Sequence, residues 1–366
     1  AGVRYDVVDK RQKGRKIDVL FNGVLYPEQQ VAAEKMLYND IGVLAAATAF
    51  GKTVLGAYLI AQKKVNALVL VHNVEIMNNW IKDLNSFLTI NEELPTYTTP
   101  KGRVKKRSSL IGTFSSQKDA TTGIIDIAMI TSLGREDNIN ELVRNYGMVI
   151  VDECHHAAAV THENVLRAVT ARYIYGMSAT INRGDKQDKK MFMQLGPIRH
   201  RYTAKERAQK QGIGHYIYPR FTRLVDLNQS EDRNPADYYR LIMQSELRNM
   251  QIVSDTIDCV KRGRTPVVMT KYKEHAQKLY DMLQGSADHV FLLQGGKSLK
   301  ERAAIREDMA AVRADESIIL VAIGQYVGEG FNYPRLDTML LAMPISFEGN
   351  VEQHAGRLNR DYEGKK

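Results

Sequence analysis

The feature that most restricts this chain is a repeated alternation of short apolar runs with helical stretches. Runs rich in Val, Ile, Leu and Ala occur at 41–47, 67–71, 124–130, 148–151 and 173–177. Between most of them lie stretches of helical character, at 27–38, 53–62, 75–87 and 139–146. Strands that are apolar along their whole length need cover on both faces, which predicts a parallel sheet between helices. Parallel neighbours require a crossover, and a helix supplies it with a right-handed sense.

The pattern then recurs. The segment 182–220 is charged, glycine-punctuated and weakly periodic, and predicts a connection that is helical near 203–211. Beyond it the sequence predicts one long helix over 235–261, strands at 266–270, 289–293, 318–323 and 338–342, and a helix at 273–283. A chain of 366 residues exceeds one ordinary core of ~150–250 residues. The expected fold class is α/β, in two tandem domains: an arm or the end of a preceding element at 1–16, then domains at 17–205 and 206–366. The charged stretch at the end predicts a chain cut from a longer polypeptide.

Hydrophobic residues at 44% and charged residues at 25% suit buried cores and exclude a disordered, collagen-like or disulfide-stapled chain. No apolar run approaches the ~18 residues of a membrane span, so no membrane partner is expected. Residues 1–16 are basic and lack the apolar core of a secretory signal. Two cysteines, Cys154 and Cys259, cannot build a disulfide framework or a zinc site, which predicts a reducing, cytoplasmic setting. Lys plus Arg outnumber Asp plus Glu by 51 to 42, a net charge of +9. That balance suits a polyanion through counterion release, without establishing one.

The sharpest motif is Ala46-Ala47-Thr48-Ala49-Phe50-Gly51-Lys52-Thr53, after an apolar strand and opening a helix. Its spacing is that of a phosphate-binding loop with Ala46 in place of the first glycine. Backbone N–H groups of Thr48, Ala49, Phe50 and Gly51 would cradle phosphate, Lys52 would reach the β/γ-phosphates and Thr53 would ligate Mg²⁺. A chance Gly-Lys-Thr at a strand–helix turn is the alternative. A second motif weakens it: the run 148–151 leads straight into Asp152-Glu153-Cys154-His155. Two carboxylates at the carboxyl end of a buried strand stand where open α/β sheets bind ligands. Asp152 would hold the metal, and Glu153 would orient or deprotonate water.

Further motifs follow in order: Ser178-Ala179-Thr180, Gly328-Glu329-Gly330-Phe331-Asn332, and Gln353-His354-Ala355-Gly356-Arg357-Leu358-Asn359-Arg360. The set resembles the superfamily-two helicases and translocases of the DExH type over residues 20–360. The segment Val71 to Trp80 and the run Gly328 to Pro334 resemble the branch of type III restriction subunits, which implies DNA as the partner. An RNA-sensing DExH branch shares the Asp-Glu-Cys-His motif, so RNA stays open.

The resemblance implies two RecA-like domains with ATP and Mg²⁺ held between them. It assigns adenine reading to Gln29, further nucleotide contact to Gly330, and arginine-finger roles to Arg357 and Arg360, whose planar guanidinium suits phosphate. His155, Ser178, Thr180 and Gln353 would couple nucleotide state to domain closure; a structural histidine is the rival reading of His155. Nucleic acid would meet His72, Asn73, Thr131, Ser132, Thr270 and Lys271 through its backbone, independent of sequence. The basic run 101–107 reads either as a DNA- or partner-touching loop or as a solvated one. Trp80 reads as core and Cys154 as a small buried hydrophobe. A nucleotide-binding scaffold without turnover is the non-enzymatic alternative, and further domains or subunits would complete a restriction, repair or defence machine.

Overall fold

The computed structural model describes residues 8–99, 102–135, 138–155, 160–179, 188–211, 214, 216–222, 234–296, 299–327, 331, 333–345, 355–356, 358 and 362. The chain divides into two compact units, Ala1–Arg207 and Ala208–Lys366.

The first unit runs β1 (Val19–Phe21), α1 (Pro27–Leu37), β2 (Ile41–Ala46), α2 (Lys52–Lys63), β3 (Ala67–Val71) and α3 (Val74–Phe87). Then come β4 (Leu88–Ile90), β5 (Thr96–Thr98), β6 (Val104–Lys106), β7 (Ile111–Ser115), β8 (Lys118–Asp119), β9 (Ile125–Met129) and the one-turn α4 (Ile130–Leu133). The remainder is β10 (Gly134–Arg135), β11 (Asn138–Ile139), β12 (Met148–Asp152), α5 (Val160–Ala168), β13 (Tyr173–Ser178), α6 (Asp188–Leu195) and β14 (Ile198–Tyr202), and α7 (Ala204–Gln211) runs across the boundary at Arg207. The sheet orders its strands β14-β2-β13-β12-β3-β9-β7-β8, every pair parallel except the last.

Strand side chains alternate between two cores, as the period of two requires. Leu44, Val69, Ile150 and Met177 pack with Met36 of α1, Leu55 and Leu59 of α2, and Trp80 and Leu84 of α3. Val43, Leu68, Leu70, Val149 and Val151 face the other way, against Leu166 of α5 and Met191 and Leu195 of α6. Both faces are buried, which is why these strands read as continuous apolar runs.

The second unit holds α8 (Pro235–Gln244), α9 (Glu246–Lys261), β15 (Pro266–Thr270), α10 (Lys273–Leu283), β16 (His289–Leu293), α11 (Leu299–Ala311), β17 (Ile318–Ile323), α12 (Gly324–Val327) and β18 (Thr338–Leu341). Its strands form a parallel sheet in the order β16-β17-β15-β18. The α/β fold class expected from the sequence is thus observed in both units.

Some local expectations are corrected. The long helix over 235–261 is two helices, because Ser245 adopts an extended backbone (ψ 102°) between them. The stretch 139–146 holds a single 3-10 turn, Glu141–Arg144, capped by the Asn140 side chain accepting from Leu142 N at 2.9 Å. The connection 182–220 contains α6 and also β14, an edge strand of the sheet. Its sequence, IRHRY, is half-buried and carries charge, so an apolar-run criterion passes over it. The basic run 101–107 contributes β6 to an antiparallel hairpin with β5.

Candidate active site

The parallel register sets the carboxyl ends of β2, β3, β9, β12 and β13 along one edge of the sheet. Chain leaving those ends carries most of the residues singled out by the sequence.

After β2 the backbone turns through Ala49 (φ 62°) and Gly51 (φ 84°) into α2. Gly51 is doubly required: its φ is left-handed, and a Cβ there would stand 2.5 Å from Gln29 Nε2. Ala46, the departure from the usual glycine, is still in the sheet, paired with Tyr202 and fully buried. The loop is held from several sides. Gln29 Nε2 donates to Phe50 O at 2.7 Å, Ala47 N donates to Tyr202 O at 2.9 Å, and the Phe50 and Tyr202 rings lie 5.0 Å apart. Arg207 donates to the Ala49 carbonyl. The Gln29 carbonyl in turn accepts from Tyr26 N at 2.9 Å, so one amide ties the start of α1 to the loop.

The start of α2 carries no side-chain cap and no acid in its first turn. The start of α3 differs: Asn73 Oδ1 accepts from Ile76 N at 2.8 Å and Glu75 follows. A helix N-terminus without a protein cap presents N–H groups and a positive dipole end, the chemistry that receives phosphate. Thr53 sits half-buried in that first turn.

Against this loop stands the end of β12. Lys52 Nζ lies 3.4 Å from Ala46 O and 3.5 Å from Glu153 Oε1. Glu153 has a left-handed backbone (φ 45°), a conformation that costs about 1 kcal/mol or more and recurs at functional sites. Its Oε2 accepts from Ser178 Oγ at 3.2 Å and lies 3.3 Å from His155 Nδ1. His155 Nδ1 and Ser178 Oγ are themselves 2.9 Å apart. Lys52, Glu153, His155 and Ser178 therefore form one connected cluster from three strand ends.

Asp152 is oriented by two donors: Trp80 Nε1 to Oδ2 at 2.7 Å and Glu153 N to Oδ1 at 2.9 Å. Burial raises the Asp152 pKa above the usual carboxylate range, Glu153 adds to the effect, and Lys52 and the Trp80 indole oppose it. The Cys154 thiol, buried beside both carboxylates, is also pushed up, chiefly by burial, and is inert as a nucleophile. Trp80 lies in the core as the sequence implied, yet its indole N–H also holds a site carboxylate. The signal was available: a buried indole N–H needs an acceptor, and few polar groups are inside this sheet.

The nucleic-acid candidates are placed unevenly. His72 and Asn73 follow β3, with His72 Nε2 and Asn73 Nδ2 3.1 Å apart, and Asn73 doubles as the α3 cap. Thr131 is exposed and Ser132 half-buried on α4, beyond the end of β9. In the second unit Thr270 is buried and its Oγ1 lies 2.7 Å from His275 Nδ1, so its hydroxyl is engaged inside the protein. Exposed Lys271 places Nζ 4.2 Å from the centre of the Tyr239 ring. Thr180, Gly330, Gln353, Arg357 and Arg360 lie outside the described residues.

Known proteins similar to this chain are helicases, translocases and restriction subunits. Residues 22–183 match the family described as type III restriction enzyme, res subunit. The chain is 23% identical to "Probable helicase D10" of Escherichia phage T5, over all of this chain and 74% of that protein. It is 24% identical to transcript termination protein A18 of fowlpox virus, over 92% of this chain and 70% of the relative. It is 22% identical to DNA 3'-5' translocase XPB2 of Sulfurisphaera tokodaii, over 50% of this chain and 36% of that one. Two solved structures share the fold. One is the Type ISP restriction-modification enzyme LlaBIII bound to DNA (TM-score 0.57, 14% identity, 94% of this chain, 27% of that one). The other is an HsdR subunit fragment of a type I restriction enzyme from Vibrio vulnificus YJ016 (TM-score 0.60, 15% identity, 94% and 63%).

These likenesses support a superfamily-two helicase or translocase, with a domain of the type III restriction res-subunit family over residues 22–183. That is a class of nucleic-acid-dependent ATPases. The chain spans between 62% and 74% of the length of the viral relatives just cited and of a mimivirus one. No helix among the described residues is long and apolar enough to cross a membrane.

Proposed function

We propose that this chain is the ATP-hydrolysing motor of a DNA translocase or helicase. The observation that carries the reading is the joined cluster of Lys52, Glu153, His155 and Ser178 beside the uncapped start of α2. In this reading the N–H groups of Thr48 to Gly51 and the start of α2 bind the phosphates of ATP, and the Lys52 ammonium turns from Glu153 to the β/γ-oxygens. Glu153, relieved of that partner and held by Ser178 and His155, orients the attacking water and takes its proton. Thr53 and Asp152 would hold Mg²⁺; a hydroxyl and a carboxylate are hard oxygen donors that suit it, and the ion neutralises phosphate charge when bound. Gln29 reads the base at the cost of one of its two present hydrogen bonds.

From the sequence alone come Gly330, Arg357 and Arg360 as further phosphate contacts, and Thr180 and Gln353 beside His155 and Ser178 as coupling residues. His72, Asn73, Thr131 and Ser132 are proposed to grip a nucleic-acid backbone, with Lys271 rather than the buried Thr270 as the second unit's contact. DNA is favoured by the res-subunit family and by the DNA-directed relatives. One relative favours RNA: the chain is 23% identical to a mimivirus protein whose name describes an ATP-dependent RNA helicase. Two free cysteines support a cytoplasmic setting.

The test is the steady-state ATPase rate with no nucleic acid, single-stranded DNA, duplex DNA and RNA, beside Lys52→Ala and Glu153→Gln. Stimulation by DNA that both variants abolish is expected. Stronger stimulation by RNA moves the substrate, and a flat rate in every case sinks the motor.

A further inference from the structure

The opposite edge of the first unit is built quite differently from the edge that bears the site. Residues 11–18 run along the amino ends of the central strands. Gln12 N donates to Thr170 O and Arg172 N to Gln12 O, just before β13. Arg15 N and Gly147 N both donate to Asn66 Oδ1, just before β3 and β12. Ile17 N donates to Lys64 O at the end of α2, and Asn91 N donates to Asp18 O beyond β4. The β5–β6 hairpin rises from this edge too, because it follows β4 and leads into the amino end of β7, a strand parallel to β9.

This arrangement lines the edge with cations. Lys10, Lys13, Lys16 and Lys64 are exposed along the arm, and Arg103, Lys105 and Lys106 along the hairpin. None of these seven makes an ion pair among the described residues. The acids here are mostly neutralised: Asp9 and Asp40 pair with Arg11, Asp40 also with Arg172, Glu92 with Arg15 and Asp119 with Arg107. Asp18 and Glu93 face solvent as well, leaving the edge strongly positive. The hairpin is firm enough to present its charges: β5 and β6 pair in register from Thr96↔Lys106 to Thr98↔Val104. The Arg107 guanidinium lies 4.2 Å from the Tyr97 ring centre, and Gly102 closes the turn by donating to Thr99 O at 2.8 Å.

We propose that this amino edge is a second nucleic-acid-binding face. It takes the phosphate backbone of a segment flanking the one gripped at the carboxyl ends of β3 and β9. The inference rests on the motor reading, since it needs nucleic acid at the other edge. Uniform charge without unpaired donors aimed at one point suits a repeating polyanion better than a single small anion. Strands of five or six residues, with the loops and helix ends beyond them, set the two outer edges apart by most of the ~40 Å across the unit, so a duplex must continue past the unit to touch both.

The test replaces Lys10, Lys13, Lys16, Arg103, Lys105 and Lys106 together by Gln; all six are exposed, and an unchanged melting curve checks the fold. Two duplexes are compared. One of about 10 base pairs spans ~34 Å, less than the ~40 Å across a unit of this size, and one of about 40 base pairs spans far more. With the long duplex, the concentration giving half-maximal ATPase rises at least about tenfold, and the slope of log K against log salt flattens by ~2 or more, at ~0.9 per lost phosphate contact. With the short duplex both stay within about twofold, and the maximal rate is that of the unsubstituted chain. An unchanged salt slope on the long duplex overturns the second face. Were the unsubstituted rate indifferent to every nucleic acid, the motor reading would fail, while the direct binding slope would still decide the face.

Discussion

A strand-end hydroxyl stands against an imidazole nitrogen in both units. In the first, Ser178 Oγ is 2.9 Å from His155 Nδ1; in the second, Thr270 Oγ1 is 2.7 Å from His275 Nδ1. What surrounds each pair differs. The Ser178 pair shares a carboxylate, Glu153, which also reaches Lys52. The Thr270 pair is closed off: His275 is 1% exposed and its Nε2 lies 3.0 Å from Asn249 Oδ1, a neutral amide at the base of α9. One pair ends in charge with something left to bind, and the other ends in a neutral partner with every group used. The same pairing of a hydroxyl with an imidazole is therefore joined to a charged cluster in one unit and closed into neutral packing in the other.

The deepest test of that contrast is Glu153→Gln. If the first pair belongs to a catalytic cluster, removing its charge lowers the nucleic-acid-stimulated ATPase by roughly 10²–10³-fold, with thermal stability nearly unchanged. A Gln variant that kept full rate would make both pairs structural.

The second pair predicts a pH effect. Burial chiefly, helped by Arg248 and Lys278, lowers the His275 pKa from 6.5 to about 4. Between those values the unfolded chain binds a proton and the folded one does not. Stability is therefore complete above pH 6.5 and is lost as pH falls towards 4, by up to about 3 kcal/mol. Hydrogen exchange of β15 in the full chain at pH 7 and 5 measures it, and His275→Gln flattens the dependence.

Thr270→Val keeps the shape of the side chain but leaves the His275 Nδ1 without its partner. A loss of about 1–3 kcal/mol is expected in denaturant melts, with a turnover number at saturating nucleic acid unchanged within about twofold. The smallest effect is reserved for Ser178→Ala. Glu153 and His155 keep each other and Lys52, so the rate should fall only about tenfold and stability hardly at all, at about 1 kcal/mol for one hydrogen bond. Equal stability losses in the two variants would erase the distinction between the pairs.

Much of this was legible in the sequence because it is local. The Thr48–Thr53 loop and the Asp152-Glu153 pair each lie in one turn after an apolar strand, and their residue types are dictated by backbone shape and charge. What was not legible joins distant segments. Trp80 meets Asp152 across 72 positions, and Tyr202 meets Ala47 from a strand whose charged sequence hid its place in the sheet. The Thr270 side chain could not be told from a solvent-facing contact, because its burial depends on His275 and Asn249 from two other helices. The break at Ser245 escaped for a different reason: both flanking segments have sound helical patterns, and a single backbone angle separates them.

Arg207 has a consequence of another kind. It is the last residue of the first unit, and its guanidinium is bonded to the Ala49 carbonyl in the loop between β2 and α2. The covalent tether towards Ala208 is thus moored to the loop itself. Anything that displaced that carbonyl would have to break this contact or carry Arg207 with it, so the start of the peptide leaving the first unit is tied to the position of the loop.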